Sequence, residues 1–300
     1  MNSFQKEILK SINIIPKKQK SSNFAYNNYE NEYKILEEFI DKDEKDHLKY
    51  LFNGPQEKDR NSNIKIYKHN LIEIDTETKY INASPINIYK DRYIIASQGP
   101  LEETLDDFWT MIEQYKCCVI VMLCNLKEEN TDKWFNYWNE NNKLKKYKIQ
   151  LVNIKSNQLY IIRQIKLINI STKNFRYVTQ IHFIKWPDRG IPKLDNGRNV
   201  YEVLKEIIEK VDDIKKENEE CPIVVHCSAG IGRTGVFISM YFLNKEIIEQ
   251  INSKRNKDIK FSVFNLIRKL KEMRLYLVQN KLANKFIYLF SKYLLERYNA

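Results

Sequence analysis

The segment PIVVHCSAGIGRTGVFISM, residues 222–240, constrains the fold more than any other stretch of the chain. PIVVH is short, apolar and β-branched, and VFISM resumes an apolar pattern at helical spacing, so a strand passes into a helix through the corner between them. That corner holds Gly230, Gly232 and Gly235, three of only seven glycines in 300 residues. GIGRTG satisfies the dinucleotide pattern GxGxxG, but that pattern also needs a second parallel strand ending in an acidic residue about twenty positions on. The polar helical stretch NKEIIEQINSKRNKDIK stands there instead. A Walker loop would close with GK[ST], and the corner offers only Arg233-Thr234.

The remaining reading is a phosphate cradle. Cys227 and Arg233 frame the corner as CxxxxxR, directly between a strand and a helix N-terminus. Unpaired N–H groups and the helix dipole make such a place an anion site. The same field favours a thiolate, since a thiol that ionises at about 8.5 when free does so far more readily at a helix N-terminus beside a cation. A guanidinium can grip two phosphoryl oxygens at once. Taken singly, Cys227 reads as an inert buried thiol and Arg233 as a surface charge; the whole string HCSAGIGRTG joins nucleophile and anion cup in one place.

Along the rest of the chain, residues 3–12 and 29–40 carry apolar residues at helical spacing. After Gly54-Pro55 come short Ile- and Tyr-rich segments, IKIYKHNLIEI, KYINASPI and RYIIASQGP, which read as strands and connecting loops. A helix is predicted over DDFWTMIEQY, then strands at VIVML, KIQLVNI, YIIRQIKLINI and YVTQIHFIKW. The last third is mostly helical, at VYEVLKEIIEKVDDI, VFISMYFLNKEII, VFNLIRKLKEMR and NKLANKFIYLFSKYLLERY. The mixture predicts an α/β domain with a sheet covered on both faces. With 43% hydrophobic residues and no Pro/Gly/Ser-rich linker, one domain is expected. The apolar run CCVIVMLC, 117–124, is too short to span a bilayer and MNSFQKEILK has no secretory core, which predicts a soluble intracellular chain. Five cysteines without framework spacing predict free thiols, with Cys117 and Cys118 as small buried apolar residues and no metal. The net charge of +11 favours anionic partners, but its basic clusters are short and scattered and no nucleic-acid signature is present.

The order of motifs goes further. YINAS (80–84), YIIASQGPL (93–101), TxxDFWxM (Thr104–Met111), VIVML (119–123), HFxxWPDRGIP (182–192), HCSAGIGRTG and RxxLVQ (Arg274–Gln279) resemble, in sequence order, the motifs of the tyrosine-specific protein phosphatases. The resemblance runs from about residue 24 to the C-terminal helix, so residues 1–23 are expected as a helical extension and 24–296 as the phosphatase domain. It implies one highly twisted mixed β-sheet flanked by helices, the cysteine-phosphatase type II fold, with no metal or organic cofactor. It implies phosphotyrosine-containing proteins as partners and a monomer in the cytoplasm, the host's cytoplasm if the chain is viral.

Residue by residue, the resemblance makes Cys227 the nucleophile that forms a cysteinyl-phosphate and Asp188 the acid that protonates the departing phenolate. Gln279 matches the residue that positions the hydrolytic water, and Thr234 the hydroxyl that stabilises the thiolate as leaving group. Ser228, Ala229, Gly230, Ile231 and Gly232 would cradle the phosphate with Arg233. His226 is expected to tune the loop, Glu128 to orient Arg233 and Lys133 to contact the acid loop. Arg60 and Asn61 fall in the family's substrate-binding segment. There the chain departs from the pattern: Asn61 stands where a tyrosine normally stacks on the substrate ring, Asn63 where an aspartate grips the peptide, Arg189 where phenylalanine is frequent, and Ala283 where a second glutamine is common. An aromatic pair contributes about 0.5–1.5 kcal/mol beyond area burial. The loss leaves two alternatives beside a tyrosine phosphatase: a weakly active or inactive phosphotyrosine-binding module, and a phosphatase of broader specificity.

Overall fold

The structure is a computed structural model that describes residues 19–20, 29–42, 50–89, 93–125, 127–128, 131–132, 135–188, 190–194, 196–216, 220–253 and 259–298. The helix expected over 3–12 lies outside them, as do Lys133 and Arg189. Helix α1 (Tyr29–Lys42) precedes strands β1 (Ala83–Ile86) and β2 (Ile94–Ser97), helix α2 (Leu105–Gln114) and strand β3 (Val119–Met122). Three long strands follow, β4 (Tyr147–Ser156), β5 (Tyr160–Asn169) and β6 (Phe175–Phe183). Helix α3 (Val200–Lys216), strand β7 (Ile223–His226) and helices α4 (Gly232–Asn252), α5 (Val263–Met273) and α6 (Lys281–Arg297) complete the order.

Seven strands form one mixed sheet in the order β1-β2-β7-β3-β6-β5-β4. The middle four, β2, β7, β3 and β6, are parallel, and the outer pairings are antiparallel. β2, β7 and β3 are fully buried continuous apolar runs, as strands covered on both faces must be. α4 buries residues around its whole circumference, the mark of a helix enclosed by protein, here by α5, α6 and the sheet. α5 and α6 start at Ser262 and Asn280, whose side chains accept from the N–H groups of Asn265 and Ala283. The main apolar core runs from Tyr33 to Leu295, beside a small separate cluster of Leu51, Tyr67 and Leu275.

Two expectations are corrected. IKIYKHNLIEI forms no strand: it holds a 3-10 turn at Lys68–Asn70 and isolated bridges from Tyr67 to Leu51 and from Glu73 to Tyr80. Its alternating residues Ile66, Ile72 and Ile74 are buried one by one by a loop laid over the core. The thiols are not all free either, since Cys118 and Cys221 form a disulfide with their Cα atoms 5.7 Å apart. Parallel pairing of Val119 with Ile223 places these residues side by side at the strand entrances. Cys117, Cys124 and Cys227 are buried and outside this disulfide, and burial pushes the Cys117 thiol up to about 12, in keeping with a packing role.

α1 docks on α6 through a buried carboxylate. Glu32 accepts a hydrogen bond from the Tyr288 hydroxyl, and burial pushes it up to about 7 from an ordinary 4.5. The folded state therefore binds this proton more tightly than the unfolded chain does. The stabilisation is complete below the unfolded value and is lost as pH rises through 7. Glu32→Gln keeps an acceptor for Tyr288 but cannot titrate. It is expected to remove a stability loss of roughly 3 kcal/mol between about pH 4 and pH 8, read by urea unfolding of both proteins across that range.

Candidate active site

β7 carries the chain up the centre of the sheet and releases it at His226, at the carboxyl end where open α/β sheets bind ligands. The loop from Cys227 to Ile231 then enters α4 at Gly232. Gly230 adopts φ +69°, and a Cβ there would sit 2.2 Å from the carbonyl oxygen of Ser97. A Cβ at Gly235 would sit 2.4 Å from the backbone nitrogen of Val278. Glycine thus lets the loop press against the end of β2 on one side and α4 against the segment before α6 on the other.

The loop is held open from behind by Arg274, which is 1% exposed. Its guanidinium donates to the carbonyls of Gly230 (2.9 Å) and Ala229 (3.2 Å) and to the side chains of Asn82 (2.7 Å) and Ser84 (3.3 Å). Drawing two carbonyls backward turns the following N–H groups to the opposite side of their peptide planes, toward the cavity. Burial pushes Arg274 down to about 10, so it keeps its charge at neutral pH.

That cavity, of about 220 Å³, is lined among others by Cys227, Ser228, Ala229, Ile231, Gly232, Arg233, Asp188, Gln279 and Asn61. Thr234 lies behind the sulfur, its hydroxyl donating to Cys227 Sγ at 3.2 Å. Arg233 donates to the carbonyls of Leu123 (3.2 Å) and Trp186 (3.3 Å), and its Nη2 meets Asp188 Oδ1 at 3.0 Å. The WPD segment is therefore folded over the cavity. Gln279 follows Val278, a β-branched residue at φ +59°. Such a conformation costs on the order of 1–3 kcal/mol. It is pinned by Val278 N–H donating to Ile231 O (3.3 Å) and by the buried Lys271 ammonium donating to Val278 O (3.2 Å).

Not every expected site residue meets the cavity. Arg60 does not line it: the guanidinium donates to the carbonyls of Gly99 (3.1 Å) and Pro100 (2.9 Å), and Gly99 N–H in turn donates to Ser228 O (2.8 Å). Arg60 thus braces the loop's neighbour through Gly99. Gly230 packs its Cα against the end of β2 at Ser97, and His226 is fully buried beneath the loop. Burial pushes the imidazole down to about 4, so it is neutral at physiological pH. Glu128 belongs to a two-residue strand paired with Thr131–Asp132, and Lys133 falls outside the described residues. Asn61 Oδ1 accepts from Asn63 N–H at 3.0 Å, closing a tight turn at the cavity rim. Arg274, Asn82 and Gln98, whose Oε1 accepts from Arg60 N–H at 2.9 Å, received no role from sequence. Their signal was a polar residue inside a mostly apolar motif, in RxxLVQ, YINAS and ASQGP.

Residues 55–292 match the family model described as protein-tyrosine phosphatase. The chain belongs to this family. It is 32% identical over 267 residues to human tyrosine-protein phosphatase non-receptor type 20, covering 85% of this chain and 60% of that protein. It is 35% identical over 219 residues to human receptor-type tyrosine-protein phosphatase alpha, covering 71% of this chain and 25% of that one. It thus spans less than two thirds of the length of these phosphatases. The catalytic domain of human protein tyrosine phosphatase non-receptor type 18 superposes with a TM-score of 0.76 at 25% identity, covering 89% of this chain and 95% of that domain. The mixed seven-stranded sheet flanked by helices is thus the phosphatase fold, and among the described residues no helix is long and apolar enough to cross a membrane.

Proposed function

We propose that this chain hydrolyses phosphotyrosine in proteins through a cysteinyl-phosphate intermediate. The observation that carries the reading is that one cavity is lined at once by Cys227, Arg233, Asp188 and Gln279. The dianionic phosphate enters the cup of loop N–H groups and displaces the Asp188 carboxylate from Arg233, whose planar fork then holds two phosphoryl oxygens. Cys227 Sγ attacks phosphorus in line with the phenolic oxygen. Released from Arg233, the Asp188 carboxylate takes up a proton from solvent, and as the P–S bond forms and the P–O bond breaks it gives that proton to the leaving oxygen. In the second step Gln279 orients a water, Asp188 takes its proton, and the P–S bond breaks with the Thr234 hydroxyl stabilising the departing thiolate. The unit proposed for this work is residues 24–296, acting as a monomer.

A second reading concerns scope. Asn61 lines the cavity as a small polar residue tied into its own turn, so this wall offers no ring for an aryl group to stack on. A phosphatase accepting phosphoserine as well follows from that wall, and matched phosphotyrosine and phosphoserine peptides discriminate by relative kcat/KM. The test of the main reading is direct. Acid quenching of the enzyme during turnover of a ³²P-labelled phosphotyrosine peptide should leave label on the peptide that contains Cys227. Tight peptide binding with no label and no phosphate release would instead mark a binding module.

A further inference from the structure

A line of buried polar side chains crosses the sheet from β5 to the nucleophile and uses residues that the proposed chemistry does not. Arg163 on β5 is the register partner of Gln180 on β6, and its Nη1 donates to Gln180 Oε1 at 2.7 Å. Gln180 Nε2 donates to the Tyr137 hydroxyl at 2.6 Å, and that oxygen lies 2.8 Å from His226 Nε2. His226 Nδ1 lies 3.0 Å from the carbonyl oxygen of Cys227. Gln180, Tyr137 and His226 have no exposed surface, and Arg163 is 9% exposed with its guanidinium 4.2 Å from the Trp138 ring.

The chemistry of the donors gives this line one direction. A guanidinium can only donate, so Gln180 must present its oxygen to Arg163 and its NH₂ to Tyr137. Having accepted there, the Tyr137 oxygen has its single proton for His226 Nε2, while Met122 Sγ at 3.8 Å is a weak competitor. Nε2 is then an acceptor, and the ring's one proton stands on Nδ1, which donates to the Cys227 carbonyl. Arg163 polarises His182 in the same sense: its Nη1 faces Nδ1 at 3.4 Å, and Nε2 faces the Cys124 carbonyl at 2.9 Å. Because C=O and the next N–H point oppositely across a trans peptide, tying Cys227 O back to His226 turns the Ser228 N–H toward the cavity.

We propose that Arg163 and Gln180 are positioning residues for the nucleophile, setting the Nδ1–H tautomer of His226 through Tyr137 and thereby aiming the first N–H of the phosphate cup. The inference rests on Cys227 being the nucleophile. Neither readout below requires turnover, so an inactive wild type with the expected tautomer refutes the activity and leaves the relay standing.

The decisive variant is Gln180→Glu. Its carboxylate still pairs with Arg163 but has no N–H for Tyr137, which must then donate to Glu and leave His226 Nε2 to carry the proton. Long-range ¹H–¹⁵N correlation of the imidazoles in labelled protein should read Nδ1–H for His226 in the wild type and Nε2–H in the variant. Alkylation of Cys227 by iodoacetamide at neutral pH, followed by peptide mapping to separate it from Cys117 and Cys124, should slow about tenfold. In a Tyr137→Phe background the same substitution should add nothing, because the line is already cut. Gln180→Met interrupts the line with an apolar side chain of similar length, and if the Glu variant does not fold it serves the same test with slower alkylation as the expectation. An unchanged tautomer with an unchanged alkylation rate overturns the proposal. So does a changed tautomer with an unchanged rate, or an undiminished effect in the Tyr137→Phe background.

Discussion

Cys227→Ser is expected to lose turnover by about 10⁴-fold or more while binding phosphopeptide at least as tightly as the wild type. The reason lies in what the cup stabilises. The Thr234 hydroxyl donates to Sγ at 3.2 Å, the one atom that must bear negative charge to attack and again to leave. A serine hydroxyl in the same cup stays protonated at neutral pH and is a poor leaving group in the second step. The shape of the cup is set elsewhere, by Arg274 on the Ala229 and Gly230 carbonyls and by Gly230 against Ser97, so it survives the substitution. Steady-state kinetics with a phosphotyrosine peptide and calorimetry with the same peptide check the two halves separately. Residual turnover near the wild-type rate would show that the sulfur is not the nucleophile.

This division between the reacting atom and its support explains what the sequence made legible. Cys227, Arg233, Asp188 and Gln279 could be read because their chemistry is local: each needs a residue type at a fixed place in a short motif, and the cavity brings all four together. The resemblance implied a mixed sheet but not its seven-stranded order, since the runs that form β2, β3 and β7 look alike until their pairing is known. Arg274 shows where motif reading stops. It is a cation in the right motif, yet it was given no role. Which way a guanidinium points depends on carbonyls supplied by segments up to 45 positions away in sequence, as with Arg274 and Ala229. The Cys118–Cys221 bond was hidden for the same reason, being created by parallel register across a separation of 103 residues. The apolar alternation of IKIYKHNLIEI reports burial correctly and hydrogen bonding wrongly, because a loop draped on a core can bury the same residues as a strand.

Asp188→Ala is expected to divide catalysis from binding in the opposite sense from a simple loss. The Asp188 carboxylate occupies the guanidinium that phosphate needs, at 3.0 Å, with side-chain exposures of 15% for Asp188 and 8% for Arg233. Entry of a phosphate dianion must break this pair, so its removal should tighten phosphopeptide binding by about tenfold, in the range of a charge-assisted hydrogen bond that no longer has to be exchanged. The same substitution removes the proton donor, and kcat on a phosphotyrosine peptide should fall by about 10²–10⁴. The loss should depend on the leaving group. A nitrophenolate is a much weaker base than tyrosine phenolate and departs without a proton, so turnover of nitrophenyl phosphate should fall far less. Paired calorimetry and kinetics on the two substrates check both claims. If binding weakens, the Arg233–Asp188 contact is not a competitor of phosphate; if both substrates slow equally, Asp188 positions the WPD segment and another group supplies the proton.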